Sequence, residues 1–293
     1  MDISIYLKER KALVDSAMER ILSGAENEPV VIHEAMRYSA LDGGKRLRPI
    51  LVLAACEAVG GANEKALPTA CAIECIHTFS LIHDDLPCMD DDDFRRGRLS
   101  LHRAYSEAIA MLAGDALFAL AFRVICETSG VPSDVLLQVC RIVSEAVGTE
   151  GMVGGQVLDM LSEGREVTIE QVQEIHRLKT GALIKASVVV GGLIGRASDM
   201  QMQALENYGR NIGLAFQIAD DILDLVGDQG KLGKPVGSDL KHKKATYPSV
   251  LGVEESARIA SEAVAAAISA VESFDERADP LRYIARFVVE RES

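Results

Sequence analysis

The sequence predicts an all-α protein folded as a single domain. Strong helix formers dominate it, and turn-forming clusters punctuate it at intervals of about 15 to 30 residues. No segment sustains the period-two alternation between hairpin signals that a sheet requires. At 293 residues the chain is long enough to bury a substantial core, and helical domains of this size commonly stay single.

Taken in order, residues 1–22 are charged and carry a helical apolar rhythm without the continuous apolar centre of a secretory signal, so they read as a first helix. Punctuation at residues 23–29, Gly60-Gly61, and residues 129–133, 162–168, 195–199, 227–239 and 275–280 divides the remainder into further helices. Thr168 with Gln171, and Ser198 with Gln201, have capping-box spacing, a hydroxyl and an amide placed to satisfy orphan backbone N–H groups. Residues 186–195, rich in Val and Gly, admit a buried strand or a buried helix; continuity with the helical pattern of residues 171–185 favours the helix. That stretch is far short of the roughly 20 residues of a membrane span, and no span is expected. There is no internal repeat and no low-complexity tract.

Hydrophobic residues make up 48% of the chain and charged residues 26%, a soluble globular balance too apolar for disorder. With 44 acidic against 31 basic residues and a net charge of -13, the surface repels phosphate backbones, and no nucleic-acid partner is expected. Six cysteines, Cys56, Cys71, Cys75, Cys88, Cys126 and Cys140, lack a CxxC pair. They read as core thiols of a reducing cytoplasm.

Two acidic clusters are the main chemical signal. Asp220 and Asp224 stand one helical turn apart on a shared face, in a segment, residues 212–226, that is otherwise almost wholly apolar. Like charges at that spacing destabilise a helix by a few tenths of a kcal/mol, and a hard divalent cation with oxygen ligands offsets such a cost. A solvated acidic face is the bland alternative, and the apolar surroundings weaken it. The first cluster, His83-Asp84-Asp85-Leu86-Pro87-Cys88-Met89-Asp90-Asp91-Asp92-Asp93, holds six carboxylates within ten residues. In an unbroken helix Asp84 would share a face with Asp91 rather than Asp90. Pro87 makes that arithmetic unsafe, so periodicity leaves the choice open.

Basic residues gather in Gly43-Gly44-Lys45-Arg46-Leu47-Arg48-Pro49 and in Arg95-Arg96-Gly97-Arg98. Glycines followed by Lys and Arg at a helix entrance suit an anion, through backbone N–H groups and guanidinium forks. A third group comprises Lys179, Thr180, Lys234, Lys243 and Lys244, the last three in a Gly-rich segment able to close over a polyphosphate. Together the clusters describe a multi-metal site for two phosphate-bearing substrates. No Ser/His/Asp triad, nucleophilic cysteine setting or Walker-type loop competes. Metal-assisted departure of a diphosphate is the simplest chemistry for such a site.

From about residue 38 to residue 252 the chain resembles the trans-prenyl diphosphate synthase family, and within it the bacterial farnesyl type. Asp84-Asp85-Leu86-Pro87-Cys88-Met89-Asp90 is similar to the longer form of that family's first aspartate-rich motif, and Asp220-Asp221-Ile222-Leu223-Asp224 to its second. The resemblance implies a bundle of roughly ten or more helices around a central cavity, the isoprenoid synthase type, and a homodimer. It implies Mg2+, three ions with Mn2+ as a substitute, held by Asp84 and Asp90 and by Asp220, with Asp85, Asp221 and Asp224 in the same motifs. Lys179, Thr180, Gln217, Lys234, Arg95 and Lys244 would surround the allylic substrate, dimethylallyl or geranyl diphosphate, and its leaving group. Lys45, Arg48, His77 and Arg96 would hold isopentenyl diphosphate. His77 lies about 10 Å below Asp84 on the same helical face; on its own it would be an ordinary helical histidine.

The implied reaction is ionisation, condensation and elimination, with an apolar tunnel shielding the cation from water. In the family an aromatic residue five positions before the first aspartate stops the chain at farnesyl, and here that residue is Phe79. Helix arithmetic places Ser80, not Phe79, directly beneath Asp84, so the floor rests on resemblance. Geranylgeranyl diphosphate synthase is the close alternative; a class I terpene cyclase and a non-catalytic partner subunit are the distant ones. Arg98-Leu99-Ser100 and Ala40 depart from the family pattern, which bears on loop shape rather than on the metal and phosphate residues.

Overall fold

The computed structural model describes residues 2–24, 26–226 and 244–290, and within them the fold is all-α. The helices are α1 (Ile3–Ile21), α2 (Val30–Ala40), α3 (Leu47–Ala58), α4 (Asn63–Asp84), α5 (Leu101–Ala104), α6 (Glu107–Cys126), α7 (Ser133–Val147), α8 (Met152–Ser162) and α9 (Ile169–His176). A five-residue π turn (Arg177–Gly181) joins α9 to α10 (Ala182–Ile194), followed by α11 (Asp199–Val226), α12 (Tyr247–Leu251), α13 (Val253–Ala270) and α14 (Asp279–Glu290). The punctuation at residues 227–239, with Lys234 and Lys243, lies outside the described residues.

Both capping boxes form. Gln171 N–H donates to Thr168 Oγ1 and Thr168 N–H to Gln171 Oε1, and Ser198 with Gln201 repeats the exchange. Residues 186–195 are helical, in α10 and its cap. Gly191 explains their composition: a Cβ there would lie 2.2 Å from the Val52 carbonyl oxygen, so only glycine lets α10 rest on the backbone of α3. The expectation of no sheet needs one correction, a hairpin of β1 (Phe94–Arg95) and β2 (Arg98–Leu99). Arg96 and Gly97, both at positive φ, make its two-residue turn, whose twist matches the strands.

Buried α3 and α10 form the middle of the molecule. One apolar core lies on the side of α4, α6 and α7; another lies on the side of α11, α13 and α14. A smaller one joins α9, α11, α12 and α13. The acidic clusters therefore fall at the C-terminal ends of two long helices, α4 and α11. Helix dipoles place partial negative charge at those ends, so the demand for cations is built into the backbone as well as the side chains.

One sequence expectation changes in part. Cys56, Cys71 and Cys75 are core thiols, but Cys88 and Cys126 are exposed and Cys140 is half-buried, with the Cys126 and Cys140 sulfurs 4.0 Å apart. Also, α6 is long and apolar enough to cross a membrane by length and composition alone. Scattered Asp115 and Arg123 hid this from a search for uncharged runs. One side of α6 packs into the core through Ala110, Ala113, Leu117 and Ala121.

Candidate active site

The first acidic cluster owes its shape to Pro87. A residue before proline resists the helical conformation, and α4 stops at Asp84, short of it. The chain then folds back: Asp90 N–H donates to the Asp84 carbonyl (2.9 Å), Asp91 N–H donates to the Leu86 carbonyl (3.2 Å), and Asp91 takes a positive φ of 51°. This tight turn brings Asp90, not Asp91, back against the end of α4. Asp90 returns half-buried, accepting from Lys244 Nζ at 3.1 Å, while Asp91 is exposed. Asp84 is pushed up to about 6, chiefly by burial and against the pull of Lys179, with Asp90 adding repulsion.

Asp85 and Arg95 form a pair. Arg95 Nε donates to Asp85 Oδ1 at 3.0 Å, its Nη2 donates to the same oxygen, and Asp92 lies 3.5 Å from Nη2. The Asp85 carboxylate is thus turned toward the β1–β2 hairpin rather than being open to a metal. On the hairpin's other strand, Arg98 donates to Asp42 at 2.7 Å and lies over the Tyr38 ring at 4.2 Å, while Tyr38 Oη donates to the Leu99 carbonyl. The departure from the family pattern at residues 98–100 therefore clamps the hairpin onto α2. Ala40 supplies the carbonyl that takes Arg46 Nη2 at 2.8 Å.

The second cluster rides on unbroken α11, which puts Asp220 and Asp224 one turn apart as expected. Asp221 is buried and held from two sides, accepting from Gln217 Nε2 at 2.9 Å and from Tyr247 N–H at 3.0 Å. Gln217 Oε1 in turn accepts from Thr180 Oγ1 at 2.6 Å, tying α11 to the π turn. That turn also carries Lys179, whose ammonium donates to Asp159 of α8 at 2.6 Å while lying close enough to Asp84 to lower its pKa. Lys244 links Asp90 of the first cluster to the cleft that Asp221 lines.

Basic residues line a second part of it. Arg48 Nη1 donates to His77 Nε2 at 3.4 Å, and its guanidinium lies over Phe216 of α11, 5.9 Å from the ring centre. Burial, then the charges of Arg48, Arg96 and Arg95, hold His77 well below its ordinary pKa. That shift favours the neutral ring, whose Nε2 can then accept from Arg48. Arg96 donates to the Gly43 carbonyl at 3.2 Å and lies against Gly44, where a Cβ would stand 2.7 Å from its Cζ. Lys45 is exposed beside them. Arg46 has a structural duty instead: buried, at positive φ, it donates to Asp15 at 2.8 Å and Glu74 at 2.7 Å.

Phe79 sits on the face of α4 that meets α6, its ring 5.1 Å from Phe118 and 4.7 Å from His83. Ser80 turns back on its own helix, donating to the His77 carbonyl at 2.8 Å. Lys234 lies outside the described residues. Sequence reasoning missed Asp159, Gly155, His176 and Tyr247. Gly155 and Asp159 do carry a signal, being four apart on one helical face, but nothing local names Lys179 as their partner.

An all-oxygen donor set suits a hard cation. Magnesium takes one or two carboxylates and completes its shell with water and substrate phosphate, and Asp84, Asp90, Asp220 and Asp224 fit that sparse pattern. Among the described residues no three acidic, His or Cys side chains are gathered into a ready-made cage.

The polyprenyl synthetase family profile matches residues 29–280. A geranylgeranyl diphosphate synthase of Cyanophora paradoxa is 49% identical over 98% of this chain and 95% of its own length. A farnesyl diphosphate synthase of Geobacillus stearothermophilus is 42% identical over 100% and 99%. The crystal structure of an FPP/GFPP synthase from Zymomonas mobilis superposes with a TM-score of 0.87 at 39% identity, covering 98% of each chain. The chain belongs to the polyprenyl synthetase family. It is a prenyltransferase of the prenyl diphosphate synthase class.

Proposed function

We propose that the protein condenses isopentenyl diphosphate head-to-tail with dimethylallyl or geranyl diphosphate, releases diphosphate, and makes farnesyl diphosphate. The observation that carries this reading is the meeting of Asp84 and Asp90 with Lys179 and Lys244 at the C-terminal end of α4. Asp84, Asp90, Asp220 and Asp224 would hold Mg2+, which would supply Lewis-acid stabilisation of the departing diphosphate. Lys179, Thr180, Gln217, Arg95 and Lys244 surround that leaving group, with Lys234 assigned there by resemblance alone. Fixed cations and N–H donors there stabilise the charge that grows on the leaving oxygen. Arg48, Arg96, Lys45 and neutral His77 hold isopentenyl diphosphate about two helical turns below Asp84, so its double bond meets the allylic cation. The released diphosphate then takes the proton, and no side-chain base is required. Farnesyl is favoured by the Phe79–Phe118 stack at the α4–α6 interface, five residues before Asp84. The geranylgeranyl product remains the second reading, favoured by the relative at 49% identity.

The working unit we propose is a homodimer formed on the outer face of α6, where Met111 is 41% and Leu112 54% exposed in an otherwise apolar helix. The cytoplasm is the proposed compartment, on the strength of six cysteines without disulfide or zinc spacing. Purified protein given Mg2+, isopentenyl diphosphate and dimethylallyl diphosphate is expected to yield a fifteen-carbon diphosphate. Chelation by EDTA abolishes this, and Asp84→Ala or Asp220→Ala slows turnover on the order of 10²-fold or more with unchanged circular dichroism. Near-normal rates in either variant, or after chelation, would sink the metal-site reading.

A further inference from the structure

His176 is a buried imidazole that the reaction above does not use. It ends α9 immediately before the π turn that carries Lys179 and Thr180. Its Nε2 lies 3.6 Å from Asp221 Oδ2, and its ring stacks on Tyr247, centroids 5.4 Å apart and planes 27° from parallel. Asp221 Oδ2 also accepts from Tyr247 N–H, and Oδ1 accepts from Gln217 Nε2. The chemistry of these groups gives the chain one direction. A carboxylate only accepts, so Asp221 must draw the NH2 end of the Gln217 amide. Gln217 Oε1 is then turned to Thr180, whose hydroxyl proton is committed to it at 2.6 Å. The second Nε2–H of Gln217, and the lone pairs of Thr180 Oγ1, are thereby set in fixed directions within the site.

We propose that Asp221 and His176 are positioning residues, a relay that fixes the orientation of the Gln217 amide and the Thr180 hydroxyl for the allylic diphosphate, and that Asp221 is not a metal ligand. The inference rests on the reading of the site as a prenyl diphosphate synthase centre. Its distinguishing claim is that one of the three motif aspartates on α11 works through Gln217 and not through an ion. His176 packs against Asp221 from the α9 side at 3.6 Å, beyond direct hydrogen-bond distance, and the Tyr247 N–H holds it from the α12 side. The carboxylate thereby lies where α9, α11 and α12 come together.

The test is steady-state kinetics with magnesium titration on the full chain. In Asp221→Asn the side chain keeps its size but presents an NH2 where one oxygen accepted, so the Gln217 amide loses its imposed orientation. The expected result is a 10- to 100-fold fall in kcat, the range typical of groups that orient functional side chains. KM for isopentenyl diphosphate and the half-activating magnesium concentration stay within about twofold, as expected of an effect transmitted through Gln217. In a Gln217→Leu background the same substitution should add little, because the effect passes through that amide. His176→Phe, which keeps the stack on Tyr247, should lower kcat in the same sense, and His176→Gln, whose Nε2–H can reach Asp221, should recover part of it. A tenfold or greater rise in the magnesium requirement of Asp221→Asn would overturn the proposal in favour of a metal ligand. Unchanged kcat in both Asp221→Asn and His176→Phe would overturn it in favour of an idle cluster. If Asp221→Asn does not fold, the His176 pair decides alone. Wild-type protein that forms no prenyl product would defeat the proposed function itself, a failure separate from any of these.

Discussion

Phe79 faces two rings at once, Phe118 across the α4–α6 interface and His83 one turn up its own helix, and Phe118 continues to Phe122 at 5.3 Å. Such contacts are worth about 0.5–1.5 kcal/mol each beyond the area they bury, so Phe79 is held as part of a packed aromatic stack. Phe79→Ala is expected to lengthen the product by one isoprene unit, and the Phe79→Ala, Phe118→Ala double variant to lengthen it again, as read by chromatography of the hydrolysed products. Product lengths identical to wild type in both variants would remove the floor assignment. Position 79 was singled out by resemblance, while helix arithmetic pointed to Ser80. In the structure the Phe79 ring reaches across to α6, while the Ser80 hydroxyl turns back to its own helix. Phe118 lies 39 residues further along the chain, and no local pattern connects the two.

At the scale of elements, the π turn is the most constrained piece of the site. It is squeezed between α8, where a Cβ on Gly155 would lie 2.2 Å from Lys179 N, and α11, where one on Gly213 would lie 3.0 Å from Gly181 Cα. Wider helical turns of this kind recur at functional sites because they re-aim the side chains they carry. Gly155→Ala must push α8 away from the turn; overpacking of this kind costs about 1–3 kcal/mol. The expected outcome is a lower midpoint in urea unfolding together with a fall in kcat at saturating substrate, because the Lys179–Asp159 pair moves with the turn. A variant with wild-type kcat would show that the turn tolerates displacement. The helical identity of residues 169–194 was readable from the capping box and the apolar rhythm. The π turn was not, since it arises from two glycines on other helices.

Across the whole molecule, α6 is the helix whose surroundings are least accounted for. It is apolar on nearly every side, yet only one face meets the core, leaving Met111 and Leu112 outward. In a two-fold interface each residue meets the same patch on the second copy, so one substitution acts twice. Leu112→Glu places two carboxylates in that interface and is expected to shift sedimentation from dimer to monomer. A wild-type monomer, or a variant that stays dimeric, would exclude this face. Net charge acts at the same scale. An excess of 13 negative charges offers little general attraction to a diphosphate, so the gathering of Arg48, Arg95, Arg96, Lys179 and Lys244 around the ends of α4 and α11 has to be local.

What the sequence alone determined was the helical class, the two capping boxes, the pairing of Asp220 with Asp224, and the presence of two acidic and several basic clusters. These depend on residues within a few positions of one another, where the 3.6-residue repeat and turn chemistry operate. The tertiary structure alone decided that Asp90 rather than Asp91 returns to Asp84, that Asp85 and Asp221 are held by Arg95 and by Gln217 with Tyr247, and that Arg46 is structural. It also set Lys179 against Asp159 and Lys244 against Asp90. Each of these contacts depends on where a helix stops or on which distant backbone approaches it, and neither is encoded in the spacing of the residues concerned.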